Sequence, residues 1–313
     1  MVNIKEKLKS VYEELEEDYN ADGLINFSEV HYKSIKDLVA YKHDYIDSPD
    51  KPIEDIEGKD YIEDPEKRKK DYHRRINSYS NYLLSTFFKI DAVGDIYETY
   101  RAMFAIKYLD NTDDDTNDYT DKTMQKLNRI QLFIDSNSDR EFTGIELLSE
   151  IRKTVNGTKS EGLEDSYYDA HFEMLKGFSD RIRQSDIDTK MELMPHFLVE
   201  LADMQNHLFR KKLFEDDYRK SVTGITNYLL TRARVPLIYV KPFELEDYYE
   251  YIKNVNDRFD NSDLISFYQE KMSDTIITAL ILPMKDARRS IIDLRRKALI
   301  NEPDTGMDAI RVE

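Results

Sequence analysis

An all-α fold is predicted by three features of the sequence. Nine glycines and eight prolines in 313 residues are about half the usual share, too few to punctuate a sandwich or barrel of many short strands. Leu, Ile, Val, Phe and Tyr recur at three- and four-residue spacing along most of the chain, the period of an amphipathic helix. Charged residues reach 35% while apolar residues hold at 40%, the balance of long solvated helix faces over a core of ordinary size.

Each element follows from its pattern. Leu8, Val11, Tyr12 and Leu15 predict a first helix over 4–16, opposite a face rich in Glu and Lys. Tyr32, Ile35, Leu38 and Val39 predict a second, after a polar loop. Residues 47–66 hold three prolines and nine Asp or Glu, the composition of an exposed linker. Residues 67–109 read as one long helix or two, broken near Asp91-Ala92-Val93-Gly94-Asp95. The acid-rich stretch 110–118 repels itself and predicts a loop. Helices over about 121–134 and 145–155 flank a second polar loop. Residues 156–164 are the expected boundary between an N-terminal helical region, 1–160, and a C-terminal domain, 161–313. Beyond it the helical pattern returns, interrupted at Pro195, Pro236, Pro242 and Pro283. No solenoid repeat is present.

Charge and composition exclude several functions. Sixty-three acids against 46 bases give a net charge of −17, which repels phosphate backbones and anionic lipid, so neither general nucleic-acid binding nor membrane binding is expected. The longest apolar run, 276–282, is far short of the ~20 residues of a membrane span. No cysteine is present, which excludes a disulfide framework and a catalytic thiol. No signal-peptide core opens the sequence, and a cytoplasmic chain, or one in a particle assembled there, is expected. The histidines lack zinc-site spacing. Lys67-Arg68-Lys69-Lys70 and Arg74-Arg75 are expected to make intramolecular salt bridges. Twenty-two tyrosines without a tryptophan suit half-buried helix contacts and interfaces. A last helix over about 284–300, with Arg288, Arg289, Arg295 and Arg296, is amphipathic and basic, and could dock on the acidic face of a neighbouring copy.

Two acidic stretches carry a metal pattern. Residues 18–29 match the D-x-[DN]-x-[DN]-G-x₅-E template of an EF-hand loop. Asp18, Asn20, Asp22, the Leu24 carbonyl and Glu29 are the expected ligands, because oxygens at those positions converge on a hard cation. The stretch also resembles a dockerin calcium repeat. The preceding helix is out of phase with an EF-hand, placing Glu13, Glu14 and Glu17 where apolar side chains belong. Residues 135–146 offer Asp135, Asn137, Asp139 and Glu146, with apolar flanks in phase but Arg140 in place of the glycine. Both stretches read equally as Asp- and Asn-rich helix caps. Calcium is the candidate cofactor.

From Asn227 to Val240 the chain reads N-Y-L-L-T-R-A-R-V-P-L-I-Y-V, followed by Glu246-Asp247-Tyr248-Tyr249 and by 263–268. With Pro195 and Ala202 upstream, this resembles the C-terminal half of a Fic domain over about 165–285. The resemblance implies a helical scaffold and AMP transfer from a nucleotide. Active members carry H-P-F-x-D-G-N-G-R-x-x-R in the link that matches 212–223, and here only Phe214 and Asp216 survive. Lys212 stands for the base histidine, and a lysine is protonated at neutral pH. Asp217 and Arg219 replace the glycines whose backbone would cradle phosphate, Tyr218 replaces the asparagine, and Lys220 and Thr223 replace the arginines. Residues 53–58 faintly resemble the family's inhibitory string, with Ile53 where Ser or Thr belongs. Lys212, Phe214, Asp216, Lys220 and Asn227 are thus a remnant site, and no nucleotide is expected. The expectation is a non-catalytic interaction or structural protein, with protein partners or self-assembly, for instance as a subunit of a bacteriophage particle. The alternative is a nucleotidyl- or phosphotransferase with a rewritten loop.

Overall fold

Asn3 begins the first helix by accepting the Lys5 N–H at 3.2 Å, and local capping of this kind recurs along the chain. The computed structural model describes residues 3–47, 64–109, 118–157, 165–211, 218–255 and 261–301. Twelve α-helices lie among them: α1 Ile4–Asp18, α2 Ala21–Tyr41, α3 Pro65–Gly94, α4 Tyr97–Phe104, α5 Asp118–Asn137, α6 Gly144–Asn156, α7 Ser166–Gln184, α8 Ile187–Lys211, α9 Tyr218–Ala233, α10 Leu245–Asn254, α11 Ser262–Ile276 and α12 Leu282–Asn301. Three π-helical turns extend α2, α4 and α11, at Lys42–Ile46, Ala105–Leu109 and Ile277–Ile281. The fold is all-α, and no described helix is long and apolar enough to cross a membrane.

Most helix boundaries obey local chemistry. Asp64 caps α3 and Pro65 takes its first position, where the missing N–H is no loss. The expected break at 91–95 falls between α3 and α4, with Asp95 in the left-handed region at φ 43°. Thr143 and Glu146 form a reciprocal capping box on α6, and Gly157 closes it at φ 75°. The second helix differs from its expectation. It starts at Ala21, not after a polar loop over 18–29, because Asn20 at φ 53° turns the chain within one residue.

Two groups of helices share one core. In the first, α3 lies against α2 and α11, and α1 packs on α3 and α12. In the second, α7, α8 and α9 pack together, with α5 and α6 on α9 and α10 on α8. Side chains from before residue 160 and after it belong to a single buried cluster. Gly224 lets α9 approach α5, since a Cβ there would meet Ile130 at 2.7 Å.

Tyrosine fills this core in quantity. Tyr72, Tyr97, Tyr100, Tyr168, Tyr228, Tyr248 and Tyr268 are fully buried, and such hydroxyls need internal partners. Gln205 on α8 serves two of them, accepting from Tyr248 at 3.2 Å and Tyr268 at 2.6 Å. Its amide donates to Thr226. One side chain therefore joins α8, α9, α10 and α11.

The non-helical residues 235–240 between α9 and α10 run mostly buried. Their backbone groups are met by side chains. Tyr97 donates to the Val235 carbonyl at 3.3 Å, and the Leu237 N–H donates to Tyr100 at 2.9 Å. Asn227 accepts the Ile238 N–H and donates to the Ile238 carbonyl, both at 3.3 Å. It also donates to Gln131 of α5 at 3.2 Å. Asn227→Ala strands these groups in a buried site, so chemical denaturation should register a loss of about 1–3 kcal/mol. An unchanged midpoint would disprove this bracketing role.

Candidate functional site

The acids of the first metal pattern lie on helices rather than in a loop. Asp18 is the last residue of α1, while Asp22, Leu24 and Glu29 lie within α2. Arg288 meets the two carboxylate oxygens of Asp22 at 2.8 and 3.0 Å, and Tyr12 donates to the same group. Lys285 meets both oxygens of Glu29 at 2.5 and 2.7 Å. The Leu24 carbonyl accepts the Ser28 hydroxyl at 2.6 Å. With Arg295 on Glu16 at 3.2 Å, these pairs form a seam fixing α12 along α1 and α2. The basic face expected to seek a neighbouring copy thus docks in large part on its own chain.

The second pattern is similarly engaged. Asp135 accepts from Arg101 at 2.6 Å and from Gln131 at 3.1 Å. The Asn137 amide donates to the Phe133 carbonyl at 2.8 Å, and Asp139 lies 3.3 Å from Arg183. Glu146 belongs to the capping box. In both stretches the carboxylates close helix ends or join helices. Glu29→Gln should lower the melting temperature in calcium-free buffer, the loss of stability being up to about 1 kcal/mol for a half-exposed pair. A calcium loop would respond to the change only with calcium present, and that outcome would overturn the seam reading.

Of the remnant Fic residues, Lys212, Phe214 and Asp216 lie outside the described residues, as do 53–58. Lys220 is half-buried in the first turn of α9, and Asn227 brackets the link. Beside Thr223, Gly224 and Asn227 the gap against α5 measures about 30 Å³, the share of one water in the liquid. His207 is hydrogen-bonded to Asp165 at 2.9 Å.

A larger cleft of about 640 Å³ opens between α2, α10 and α11. Its floor is ionic and buried. Lys271 lies 2.6 Å from Glu244 and 2.7 Å from Glu270. Burial opposes its charge, but the two carboxylates outweigh this and hold the ammonium above its ordinary pKa. Asp274 accepts from Tyr32 at 2.5 Å and Tyr108 at 3.3 Å, with Lys241 at 3.7 Å. Burial first, then Asp274, pushes both phenols up. Lys42, 6% exposed, donates to the Tyr251 hydroxyl at 2.6 Å and acts electrostatically on the Asp47 carboxylate. The walls are aromatic, with Phe267 and Tyr251 5.6 Å apart, and Phe243 stands on the rim 79% exposed.

All three π-helical turns adjoin this cleft. Lys42 and His43 belong to one, Tyr108 reaches Asp274 from another, and the third begins three residues after Asp274. π-Turns are rare, and each inserted residue re-aims the side chains that follow, which is why they gather at functional sites. The described residues lining the cleft include no Ser, Thr or Cys. Its histidine, His43, is 76% exposed beside Asp44.

Sequence reasoning passed over this cleft. Its signal was a charge on an apolar stripe: Lys42 continues Ile35 and Leu38, and Lys271 continues Leu264 and Phe267. Lys271→Met leaves two buried carboxylates unpaired and should cost about 3–5 kcal/mol in urea unfolding. Phe243→Ser should stay within about 0.5 kcal/mol. Equal losses at the two positions would contradict this division between floor and rim.

A second cavity, of about 630 Å³, lies where α3, α7 and α9 end. Three C-terminal dipoles converge there, and Lys7, Arg183, Lys190 and Arg234 gather against them. Arg234, at φ 55°, pairs with Asp95 and lies 3.5 Å from Asp91. Burial pushes the Asp91 carboxyl up and Arg234 pulls it back. Burial also lowers the pKa of Lys190, which sits 5.1 Å over the Phe88 ring. This cavity is a neutralised junction of helix ends.

Compared with protein-family models, with curated proteins and with solved structures, the chain matches none.

Proposed function

We propose that the chain is a non-catalytic interaction protein on a degenerate Fic-like helical scaffold, working in the cytoplasm as a structural subunit of a larger assembly. The observation that carries this reading is the cleft between α2, α10 and α11. Its charged floor groups hold one another, while its aromatic rim, with Phe243 four-fifths exposed, faces outward. Large aromatic side chains on a lip are what protein interfaces select. The succession α8, α9, buried link, α10 and α11 supports the Fic-like part of the proposal. In this reading Asp22, Glu29 and Asp135 serve as partners of Arg288, Lys285 and Arg101 rather than as calcium ligands.

Against the rival transferase reading stands the chemistry of 212–223. Transfer of AMP needs a base to take the hydroxyl proton and a cradle to hold triphosphate. Lys212 is a poor base, and Asp217 puts negative charge where phosphate would sit. Incubation with labelled ATP or GTP and magnesium should therefore yield no transfer to the chain. Lys212→His alone should restore none, since a base without bound nucleotide has nothing to activate. Label transferred by the unaltered chain and abolished by Asp216→Ala would overturn the proposal.

A further inference from the structure

Lys190 stands in the first turn of α8 and lines the cavity where α3, α7 and α9 end. Its surroundings differ from those of the other half-buried lysines. Lys69, Lys271 and Lys285 lie 2.6, 2.6 and 2.5 Å from carboxylates. Lys190 has no carboxylate within ion-pair distance among the described residues. Its Nζ lies instead 5.1 Å from the centre of the Phe88 ring, itself buried. An aromatic face attracts an ammonium only weakly compared with a counter-ion.

Three further features act against the charged form. The side chain is half-buried. The start of a long helix is the positive end of its dipole, where another cation is unwelcome. Arg234 adds a positive charge on the same cavity. Burial is the largest of the influences on Lys190, and Asp91 and Asp186, which favour the ammonium, do not outweigh it. The remaining charges near the amine are Asp188 in its own turn, Lys7 and Glu14 of α1, Asp95 after α3, and Arg183 at the end of α7. A lysine desolvated beside another cation is nucleophilic near neutral pH, because more of it is uncharged.

The cavity, of about 630 Å³, gives a small molecule access to this amine. We propose that Lys190 is an acylation site, modified by a small acyl phosphate entering the cavity. The uncharged Nζ attacks the acyl carbon and an N–C bond forms. The C–O bond to phosphate breaks, and phosphate leaves with that electron pair and the proton shed by nitrogen. The donor class follows from the lining. Among the described residues no Ser, Cys, His or Tyr lines the cavity to carry an acyl group or relay a proton, so the amine must arrive uncharged and the leaving group must take the proton itself. The product is a neutral amide, against which burial no longer acts. The inference is independent of the interaction reading above.

Incubation of the full chain with acetyl phosphate, read by peptide mass spectrometry, tests the site. At neutral pH Lys190 should be acetylated severalfold faster than the exposed Lys33 and Lys70. Its rate should also level off at a lower pH than theirs, since its amine loses the proton earlier. Two variants should move the neutral-pH rate in opposite directions. Arg234→Gln removes a neighbouring cation, favours the ammonium and should slow Lys190. Asp91→Asn removes a neighbouring anion and should speed it, while the amide oxygen still accepts the Tyr97 N–H that Asp91 accepts at 2.8 Å. At alkaline pH, with the amine uncharged in all three proteins, the rates should converge. Lys190 reacting no faster than Lys33 and Lys70 in the unaltered chain would overturn the inference, and so would variants that shift it in the same direction.

Discussion

A stretch of non-helical backbone through a helical core is the constraint on which the rest of the structure depends. A helix satisfies its own backbone, but residues 235–240 cannot, and each buried N–H or carbonyl left alone would be costly. Tyr97 and Tyr100 of α4, and Asn227 of α9 held by Gln131 of α5, meet that demand. The need fixes α4, α5 and α9 around the link. It also accounts for tyrosine where a core would otherwise take phenylalanine. The ends of the link are tied down as well. Arg234 joins it to the α3 terminus through Asp91 and Asp95, and Lys241 donates its N–H to Glu244 at 2.9 Å. The link thereby runs from the cavity of helix ends to the rim of the aromatic cleft.

Charge is organised around the same frame. A chain of net charge −17 repels itself, and its bases lie where helices must meet. Lys285, Arg288 and Arg295 hold α12 to α1 and α2. Arg232 bridges α9 to Asp180 at 2.7 Å and to Glu141 at 2.7 Å, and Lys69 of the basic run joins α3 to Asp263 on α11 at 2.6 Å. Part-exposed pairs of this sort contribute little net stability, yet bringing like charges together in their place would be unfavourable. They specify which helix lies against which. The excess negative charge remains on outward faces such as that of α1.

The cleft combines these two features. Its floor is a closed set of buried ions and phenols, and its wall is the aromatic surface that the π-turns re-aim. Lys271 and Asp274 of the floor are held by neighbours, while Phe243 and His43 stand exposed on the rim.

Much of the fold was legible because helices declare themselves locally. The stripe Leu8, Val11, Tyr12 and Leu15, the break at 91–95, and the cap at Thr143 and Glu146 depend only on residues within a few turns. The acidic stretches show where that ends. Residues 18–29 satisfy a loop template position by position, and nothing local says that Arg288 and Lys285, some 260 residues away in the chain, will take Asp22 and Glu29 instead. Asn227 stood out as part of a motif, but its partners Gln131 and Ile238 come from α5 and the link. Phe243 carried no periodic signal, and the charges of Lys42 and Lys271 on apolar stripes do not say what they face, since a cleft arises only where separate helices leave space. The sequence by itself determined the helices, their caps and the surplus of negative charge, because backbone geometry and side-chain periodicity act at short range. Only the tertiary structure decided which acids meet which bases and where a cleft opens, because those depend on burial and on contacts between distant segments.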